Sequence, residues 1–443
     1  MSDTIFSLSS APGRGGVAII RVSGEQALEG LQKTARLTTV KPRYAYFCHL
    51  KNPRTKDLID QSLCLYFKAP HSFTGEDTVE YHVHGGRAVV ESLLSSLSVM
   101  EGYRLAEPGE FTKRAFMNDK MDLTEAEAVA DLIHAETEAQ KQQALSQLSG
   151  QLSKIYQDWS DHLKKILAHQ EADIEFPEDD MPDGISEVLQ PKLKDLMAKI
   201  QDHLNDNRRG ERLREGIHIT ILGAPNAGKS SLTNLLAERD VAIVSDQAGT
   251  TRDVIEVHLD LGGYPVVISD TAGLREVQDN QVETEGISRA RQRAGEADLK
   301  IVIFDGSKAF DEESLQHIDD DSVVVINKQD LIKKDLFDKI SGQEPLFISA
   351  VTGEGVRNLL DVLTLRIKQL FDISSQTPSL TRQRHRFALE EAVESINRAL
   401  EADFPELGAE DIRMAMRAIG RITGHVDVED LLDVIFKDFC IGK

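Results

Sequence analysis

Residues Gly223-Ala-Pro-Asn-Ala-Gly-Lys-Ser230 fit the pattern G-x-x-x-x-G-K-[ST], which chance supplies in roughly one or two of every hundred chains of this size and composition. The match falls between an expected strand at 217–222 and an expected helix at 231–237. Glycines there let backbone N–H groups curl around phosphate oxygens, and the helix N-terminus adds the positive end of its dipole. Asn226, Ala227, Gly228, Lys229, Ser230 and Ser231 are the expected phosphate contacts, with Lys229 reaching the β- and γ-phosphates and Ser230 offering its hydroxyl to Mg²⁺. Two later motifs add to this. Asp270-Thr271-Ala272-Gly273 ends a strand, where the carboxylate can hold the Mg²⁺ hydration shell and the glycine N–H can reach the γ-phosphate. Asn327-Lys328-Gln-Asp330 ends another, and an Asp carboxylate that accepts from guanine N1–H and N2–H₂ rejects adenine. Their order and strand-end placement predict a guanine-nucleotide site at the C-terminal edge of a parallel sheet.

These segments resemble the G motifs of the TRAFAC-type GTPases, and the resemblance extends to Gly249-Thr250-Thr251-Arg-Asp253 as switch I and to Ser349-Ala350 beside the base. By that likeness Thr251 completes the Mg²⁺ shell. Signalling GTPases orient water with a Gln directly after D-x-x-G, but this chain has Leu274. Asn226 resembles the Asn of potassium-dependent members, which implies a K⁺ held by Asn226 with backbone oxygens of Ser245, Gln247 and Thr250. A fixed cation there would do an arginine finger's electrostatic work. The resemblance assigns water orientation to a Glu beyond the D-x-x-G, either Glu283 or Glu285, with Glu283 favoured by its spacing to Gly286-Ile287.

The elements that must position these residues follow from periodicity. Strands are expected at 217–222, 255–261, 265–269, 300–304, 323–326 and 346–349, with Gly262-Gly263 as a hairpin turn. That is a doubly wound, mostly parallel sheet with one antiparallel hairpin. The first 120 residues suggest a small α+β domain, with strands at 17–21, 62–67 and 79–84 and one helix at 88–99. Thr124 with Glu127 gives a capping-box spacing, and long helices follow to about Gln170. A carboxylate-rich loop is expected over 171–183, a further helix over 186–205, a Ser/Thr/Pro linker over 374–381, and helices to the end, with Ile412, Met416 and Ile419 on one face. The fold class is therefore multidomain α/β plus α. Residues 1–120 form the α+β domain, 121–210 and 374–443 form one discontinuous helical domain, and 211–373 form a P-loop GTPase domain inserted into it.

Composition excludes other classes. The chain has 443 residues with 51 Lys+Arg against 74 Asp+Glu, a formal charge of −23, which rules out a purely electrostatic nucleic-acid coat. Residues 1–120 hold 15 basic and 13 acidic side chains, whereas 211–372 hold 18 and 29. Acidity therefore avoids the N-terminal third. Three cysteines, Cys48, Cys64 and Cys440, lack disulfide or zinc spacing and fit a reducing cytoplasm. No apolar run approaches the ~18 residues needed to span a bilayer, and no targeting segment is recognised, so a soluble protein away from membranes is expected. His82 and His84 share a strand face but lack a third metal ligand.

Motifs outside the G segment complete the resemblance. Pro12-Gly-Arg-Gly-Gly-Val17 with Arg21-Val-Ser-Gly24, Ser72-Phe-Thr-Gly-Glu-Asp77, His84-Gly-Gly86, Glu107-Pro-Gly-Glu-Phe-Thr112, Asn118-Asp-Lys120 and the terminal Phe439-Cys-Ile-Gly-Lys443 together resemble the MnmE (TrmE) family of tRNA-modification GTPases over the whole chain. The resemblance implies a homodimer that binds GTP, Mg²⁺ and K⁺. With a flavoprotein of the MnmG type in a heterotetrameric complex, it would add an aminomethyl-type group at C5 of the wobble uridine of certain tRNAs. The one-carbon unit would come from 5,10-methylenetetrahydrofolate or a related folate, contacted by Arg21, Glu80, Lys120 and Lys443. Read alone, Arg21 and Lys120 are ordinary surface cations. Cys440 is open to a catalytic role or to packing. The catalytic set so implied is Lys229, Thr251, Asp270, Glu283 and Cys440. A rival class is a ribosome-assembly switch binding rRNA, since Era- and Der-like proteins share the P-loop and switch I elements; neither a GxxG loop in 372–443 nor a second P-loop is present.

Overall fold

A computed structural model describes residues 3–175, 185–239, 241–243, 256–270, 297–331, 339–371 and 378–426, and of the C-terminal segment 432, 435–437, 439 and 442. In chain order, β1 (Thr4–Leu8), β2 (Gly15–Ser23), α1 (Ala27–Ala35), β3 (Tyr46–Lys51), β4 (Leu58–Phe67), β5 (Thr78–Gly85), α2 (Arg87–Ser98), β6 (Tyr103–Leu105) and α3 (Glu110–Met117) come first. Next are the helices α4 (Leu123–His134), α5 (Glu138–Leu148), α6 (Gln151–Glu175), α7 (Ile185–Leu204) and α8 (Arg209–Glu215). The α/β segment holds β7 (Ile217–Leu222), α9 (Lys229–Ala237), β8 (Glu256–Leu261), β9 (Tyr264–Asp270), β10 (Leu299–Asp305), α10 (Glu312–Leu315), β11 (Ser322–Asn327), β12 (Leu346–Phe347) and α11 (Val356–Leu370). Helices α12 (Gln383–Glu401) and α13 (Pro405–Thr423) follow. These residues divide into two compact units. One comprises Met1–Ala130, Gln147–Lys194 and Glu391–Lys443; the other comprises Asp131–Ser146 and Asp195–Glu390.

In the first unit a six-stranded sheet runs in the order β3-β4-β5-β2-β1-β6. Strand alternation sends Ile20, Val22, Cys64, Tyr81 and Val83 into a core that also holds Leu31 of α1 and Leu93 of α2. Arg21 and Glu80, at the intervening positions, stand on the opposite face. The expectation of one helix in this domain is corrected to three. Cys48 and Cys64 are buried free thiols. Helix α3 is fixed by the Glu110 carboxylate, which accepts from Arg104 at 2.8 and 2.5 Å, from Arg114 at 3.0 Å and from the Glu107 N–H at 2.9 Å. Burial alone would raise the Glu110 carboxyl, but the two guanidiniums and the backbone donor hold it below its ordinary 4.5. A depressed folded value means this stabilisation is present above about pH 4.5 and is lost as pH falls through the lower folded value. Glu110→Gln is therefore expected to lower thermal stability at neutral pH by about 3 kcal/mol and to flatten the acid limb of a pH–melting curve. An unchanged acid limb would show that this carboxylate is not the titrating group.

The helix signals of the sequence need four corrections. The box that opens α4 is Asp122 with Glu125, not Thr124 with Glu127: Asp122 Oδ1 accepts from the Glu125 N–H at 2.9 Å, and Glu125 Oε2 accepts from the Asp122 N–H at 2.9 Å. Thr124 lies inside the first turn and donates to Asp122 at 2.8 Å. The continuous helical stretch is broken before α5, where Gln140 Oε1 takes the Glu136 and Thr137 N–H groups at 3.0 and 3.1 Å. Helix α6 runs on to Glu175 through the carboxylates assigned to a loop, because Pro177 is the first breaker and Glu171 is paired with Arg413 at 2.5 Å. On α13 the buried stripe is Ile412, Ala415, Ile419 and Ile422, so Ala415 takes the place expected for the half-buried Met416.

In the second unit the sheet order is β12-β11-β10-β7-β9-β8, parallel except for the β8–β9 hairpin, as expected. Strand β11 is buried at all six positions, the continuous apolar run of a sheet covered on both faces. The expected strand at 346–349 shortens to two residues at the sheet's edge. The C-terminal end of the expected linker is packed rather than free: Leu380 is fully buried, and Arg209 donates to Ser379 Oγ at 2.9 Å. Arg382, just before α12, and Arg386, in its first turn, are engaged inside this unit. Arg382 pairs with Asp131 at 2.7 Å, and buried Arg386 pairs with Asp206 at 2.8 Å and donates to Leu204 O at 2.7 Å.

Candidate functional site

The strand β7, the glycine-rich loop and helix α9 follow one another as a phosphate cradle requires. Asn226 adopts a left-handed backbone, φ 64°, and Gly228 caps α9 at φ 104°. A Cβ on Gly228 would sit 2.0 Å from Asn327 Nδ2, so only glycine lets the loop close on that side chain. Lys229 is buried, and its ammonium donates to the carbonyls of Gly223 and Ala224 at 2.8 and 3.0 Å. Those bonds hold the cation within the loop, where phosphate oxygens compete for the same donors.

Asn327 ties the loop to the segment that follows β12. Its amide donates to Ala227 O at 2.8 Å and its carbonyl accepts from the Ala350 N–H at 2.9 Å. Phosphate loop, Asn327 and Ser349-Ala350 are thus joined through one buried side chain. Asp330 sits exposed in a single 3₁₀ turn, Gln329–Leu331, fixed by Gln329 N–H to Ile348 O at 2.9 Å. Lys328, φ 64°, is drawn to Asp305 at 2.6 Å. Burial raises and Lys328 and Ser307 lower the Asp305 carboxyl, with a net shift downward. Sequence reasoning missed Asp305. Its signal is register: β10 and β11 place Asp305 opposite Asn327, and both strands end there.

Asp270 ends β9, next to the loop-bearing β7 in the sheet order, with Ile221 as its register partner. Ser245, Gln247, Thr250, Thr251, Thr271, Ala272, Gly273, Glu283, Glu285, Cys440 and Lys443 lie outside the described residues.

A second cluster lies in the first unit. Arg21 and Glu80 are register partners on β2 and β5, and Glu80 Oε1 accepts from Arg21 at 3.0 and 3.1 Å. The guanidinium lies 5.3 Å from the Phe73 ring and 5.8 Å from Phe111. The other carboxylate oxygen faces His82 at 3.5 Å. Lys120 reaches the same 72–77 loop, where a Cβ on Gly75 would meet its side chain at 3.3 Å. It also lines a cavity of about 360 Å³ with Asp122, Glu125 and His425. Gly442, one residue before Lys443, is seated beside β1, its carbonyl accepting from Ser9 Oγ at 2.9 Å. A Cβ there would strike Leu8 O at 2.1 Å. The structure therefore brings Arg21 and Glu80 together and sets Lys120 and the C-terminal segment against the same domain. Among the described residues no cluster of His, Cys, Asp and Glu suits a metal, and no helix is long and apolar enough to cross a membrane.

Comparison with known proteins gives the family. Residues 4–120 match the family described as the GTP-binding protein TrmE N-terminus, and residues 123–440 match the MnmE helical domain. Among similar proteins, the tRNA modification GTPase MnmE of Paramagnetospirillum magneticum is 50% identical, with 100% of both chains covered. That of Parvibaculum lavamentivorans is 48% identical over the same shares. The mitochondrial 5-taurinomethyluridine-[tRNA] synthase subunit GTPB3 of Danio rerio is 45% identical over 100% of this chain and 93% of that one. With a P-loop joined through Asn327 to the Ser349-Ala350 segment and full-length identity of up to 50% to these relatives, the chain belongs to the MnmE family of tRNA modification GTPases.

Proposed function

We propose that the chain hydrolyses GTP to drive addition of an aminomethyl-type group at C5 of a tRNA wobble uridine, using a one-carbon unit from 5,10-methylenetetrahydrofolate or a related folate. It acts as a homodimer with a flavoprotein of the MnmG type in a heterotetrameric complex. The observation that carries the reading is the Asn327 bridge between the phosphate loop and Ala350, in a chain of this family. The name of the zebrafish relative, a synthase of a 5-substituted uridine in tRNA, supports the choice of base and atom. Segments 121–210 and 374–443 act as one helical domain interrupted by the GTPase domain at 211–373.

In hydrolysis a water oxygen attacks the γ-phosphorus and the bond to the β–γ bridging oxygen breaks, giving GDP and phosphate. Lys229 and the loop N–H groups stabilise the charge that gathers on the phosphate oxygens. Ser230, at the opening of α9, and Thr251 would hold Mg²⁺, which supplies neutralising charge. The exposed Asn226, with its left-handed backbone, offers the hard oxygen that suits K⁺, and backbone oxygens of Ser245, Gln247 and Thr250 in switch I would be the other ligands. With Leu274 unable to orient water, the cation carries weight: exchanging Na⁺ for K⁺ is expected to raise GTP turnover at least several-fold. Equal rates in the two salts would remove the K⁺ role. Glu283, or its neighbour Glu285, orients water through a second molecule. On the folate side, the carboxylate of Glu80 suits a pterin's amino-pyrimidine edge, and Arg21, Lys120 and Lys443 suit the glutamate tail. Cys440, three residues before Lys443 in sequence, is a candidate thiol in this chemistry. The test is reconstitution: the chain, a flavoprotein partner, GTP, a one-carbon folate and unmodified tRNA should yield modified wobble uridine by mass spectrometry. Product formed equally without the chain would refute the reading.

A further inference from the structure

Between residues 33 and 56 the chain carries seven Lys or Arg and no Asp or Glu, in a protein of net charge −23; the run ends at Asp57. The segment frames β3, the edge strand of the first unit's sheet. Of the seven cations, only Lys33 has a carboxylate partner within ion-pair distance, Glu29 at 2.6 Å, among the described residues. Arg43 and Arg54 are instead steadied by neutral groups, the carbonyls of His71 at 3.0 Å and Val99 at 2.9 Å. Three of the cations, Arg36, Arg43 and Lys56, occupy left-handed backbone at φ 54°, 59° and 67°, where Gly or Asn would cost less. Edge strands are commonly guarded by lysines along the strand itself. Here Lys51 closes the strand, and the outward positions before it are aromatic. Phe47 is 64% exposed and packs edge-on to exposed His49 at 5.8 Å, while Tyr44, 57% exposed, stands just before the strand. Charges at both ends of an exposed aromatic strand are what single-stranded nucleic acid requires, phosphates on the cations and bases stacked on the rings.

Register sharpens the placement. Phe47 pairs with Leu63, and Leu63 with His82, which faces Glu80. Phe47 therefore lies two strand spacings, about 10 Å, from β5 on the face that carries the Arg21–Glu80 pair. We propose that the edge strand β3 and its flanking cationic loops bind a single-stranded loop of the substrate RNA, stacking a base on Phe47 beside the Arg21–Glu80 cluster. The inference rests on the reading of tRNA as substrate. Pairing of this edge with the same edge of a second copy would set like charges against each other, which disfavours that occupant.

Fluorescence anisotropy of labelled unmodified tRNA with the full-length protein across a salt series tests it. The double variant Lys41→Glu/Lys56→Glu is expected to bind at least tenfold more weakly at about 100 mM salt and to lose about 1.5 from the slope of log K against log salt, some 0.7–0.9 for each phosphate contact. Phe47→Ala is expected to weaken binding about tenfold with the slope unchanged, the mark of a lost stack rather than a lost charge. GTP turnover and the melting curve should both match the parent in the two variants, the second reporting that the altered unit stays folded. Unchanged affinity and slope in both variants would overturn the assignment. So would retained tRNA affinity with loss of the flavoprotein partner or of the homodimer, which would give the surface to a protein. If the parent modifies tRNA with its partner but has no RNA affinity of its own, this surface fails while the function stands. If the parent neither binds nor modifies tRNA, the substrate reading itself fails.

Discussion

Asp330→Asn is expected to weaken GTP binding at least a hundredfold and to turn the preference of the site towards xanthosine triphosphate. Two charge-assisted hydrogen bonds, from guanine N1–H and N2–H₂, rest on one carboxylate, and each such bond contributes about 1.5–3 kcal/mol. An amide in its place loses the charge and offers an N–H where guanine also offers one. Xanthine carries a carbonyl at that position and accepts it. The backbone supporting Asp330 does not depend on its side chain, because the 3₁₀ turn is fixed by Gln329 N–H to Ile348 O. The loss should therefore appear in nucleotide titrations and leave the melting temperature unchanged. Unaltered GTP affinity would contradict the guanine site.

Lys229→Ala is expected to lower the GTP hydrolysis rate by two to three orders of magnitude, the usual cost of removing one preorganised donor from a transition state that gathers charge. In the structure this ammonium is held by the carbonyls of Gly223 and Ala224, so it is already placed inside the loop. Little reorganisation is needed to meet the β- and γ-oxygens. Single-turnover measurements at saturating GTP separate the chemical step from binding, and the larger effect should fall on the rate. A variant that binds weakly but turns over at the parental rate would show that Lys229 only anchors the nucleotide.

How much of this was legible in the sequence depended on distance along the chain. The phosphate loop is local: eight consecutive residues carry it, and the structure places them directly after β7 and into the first turn of α9. The hairpin at Gly262-Gly263 and the parallel sheet were legible for the same reason. Capping was ambiguous, since Asp122 with Glu125 and Thr124 with Glu127 have the same spacing and only hydrogen bonding decides between them. Strands β3 and β6 went unrecognised because β6 is three residues long and β3 mixes aromatic and polar residues without clean alternation. Asp305 was hidden because its contact with Lys328 arises from parallel register across 23 residues. The pairing of the arginines at 382 and 386 leaves no local signal, because their carboxylate partners lie between 175 and 251 residues away.

A charge of only +2 over 120 residues suggests nothing, because the acidic residues lie elsewhere in the same domain. Several of those carboxylates are already engaged, Glu110 with Arg104 and Arg114, Glu76 with Arg114, and Glu80 with Arg21. Among the described residues, six cations between 36 and 56 have no carboxylate partner within ion-pair distance and frame one edge strand, a distribution that totals conceal.

The most direct test of the central claim is mass spectrometry of bulk tRNA from a strain lacking this chain, complemented with the parent or with Lys229→Ala. The account predicts that the C5 modification of the wobble uridine disappears in the deletion, returns with the parent and does not return with the variant. Intact wobble-uridine modification in the deletion strain, with rRNA precursors accumulating instead, would contradict it and assign the chain to ribosome assembly.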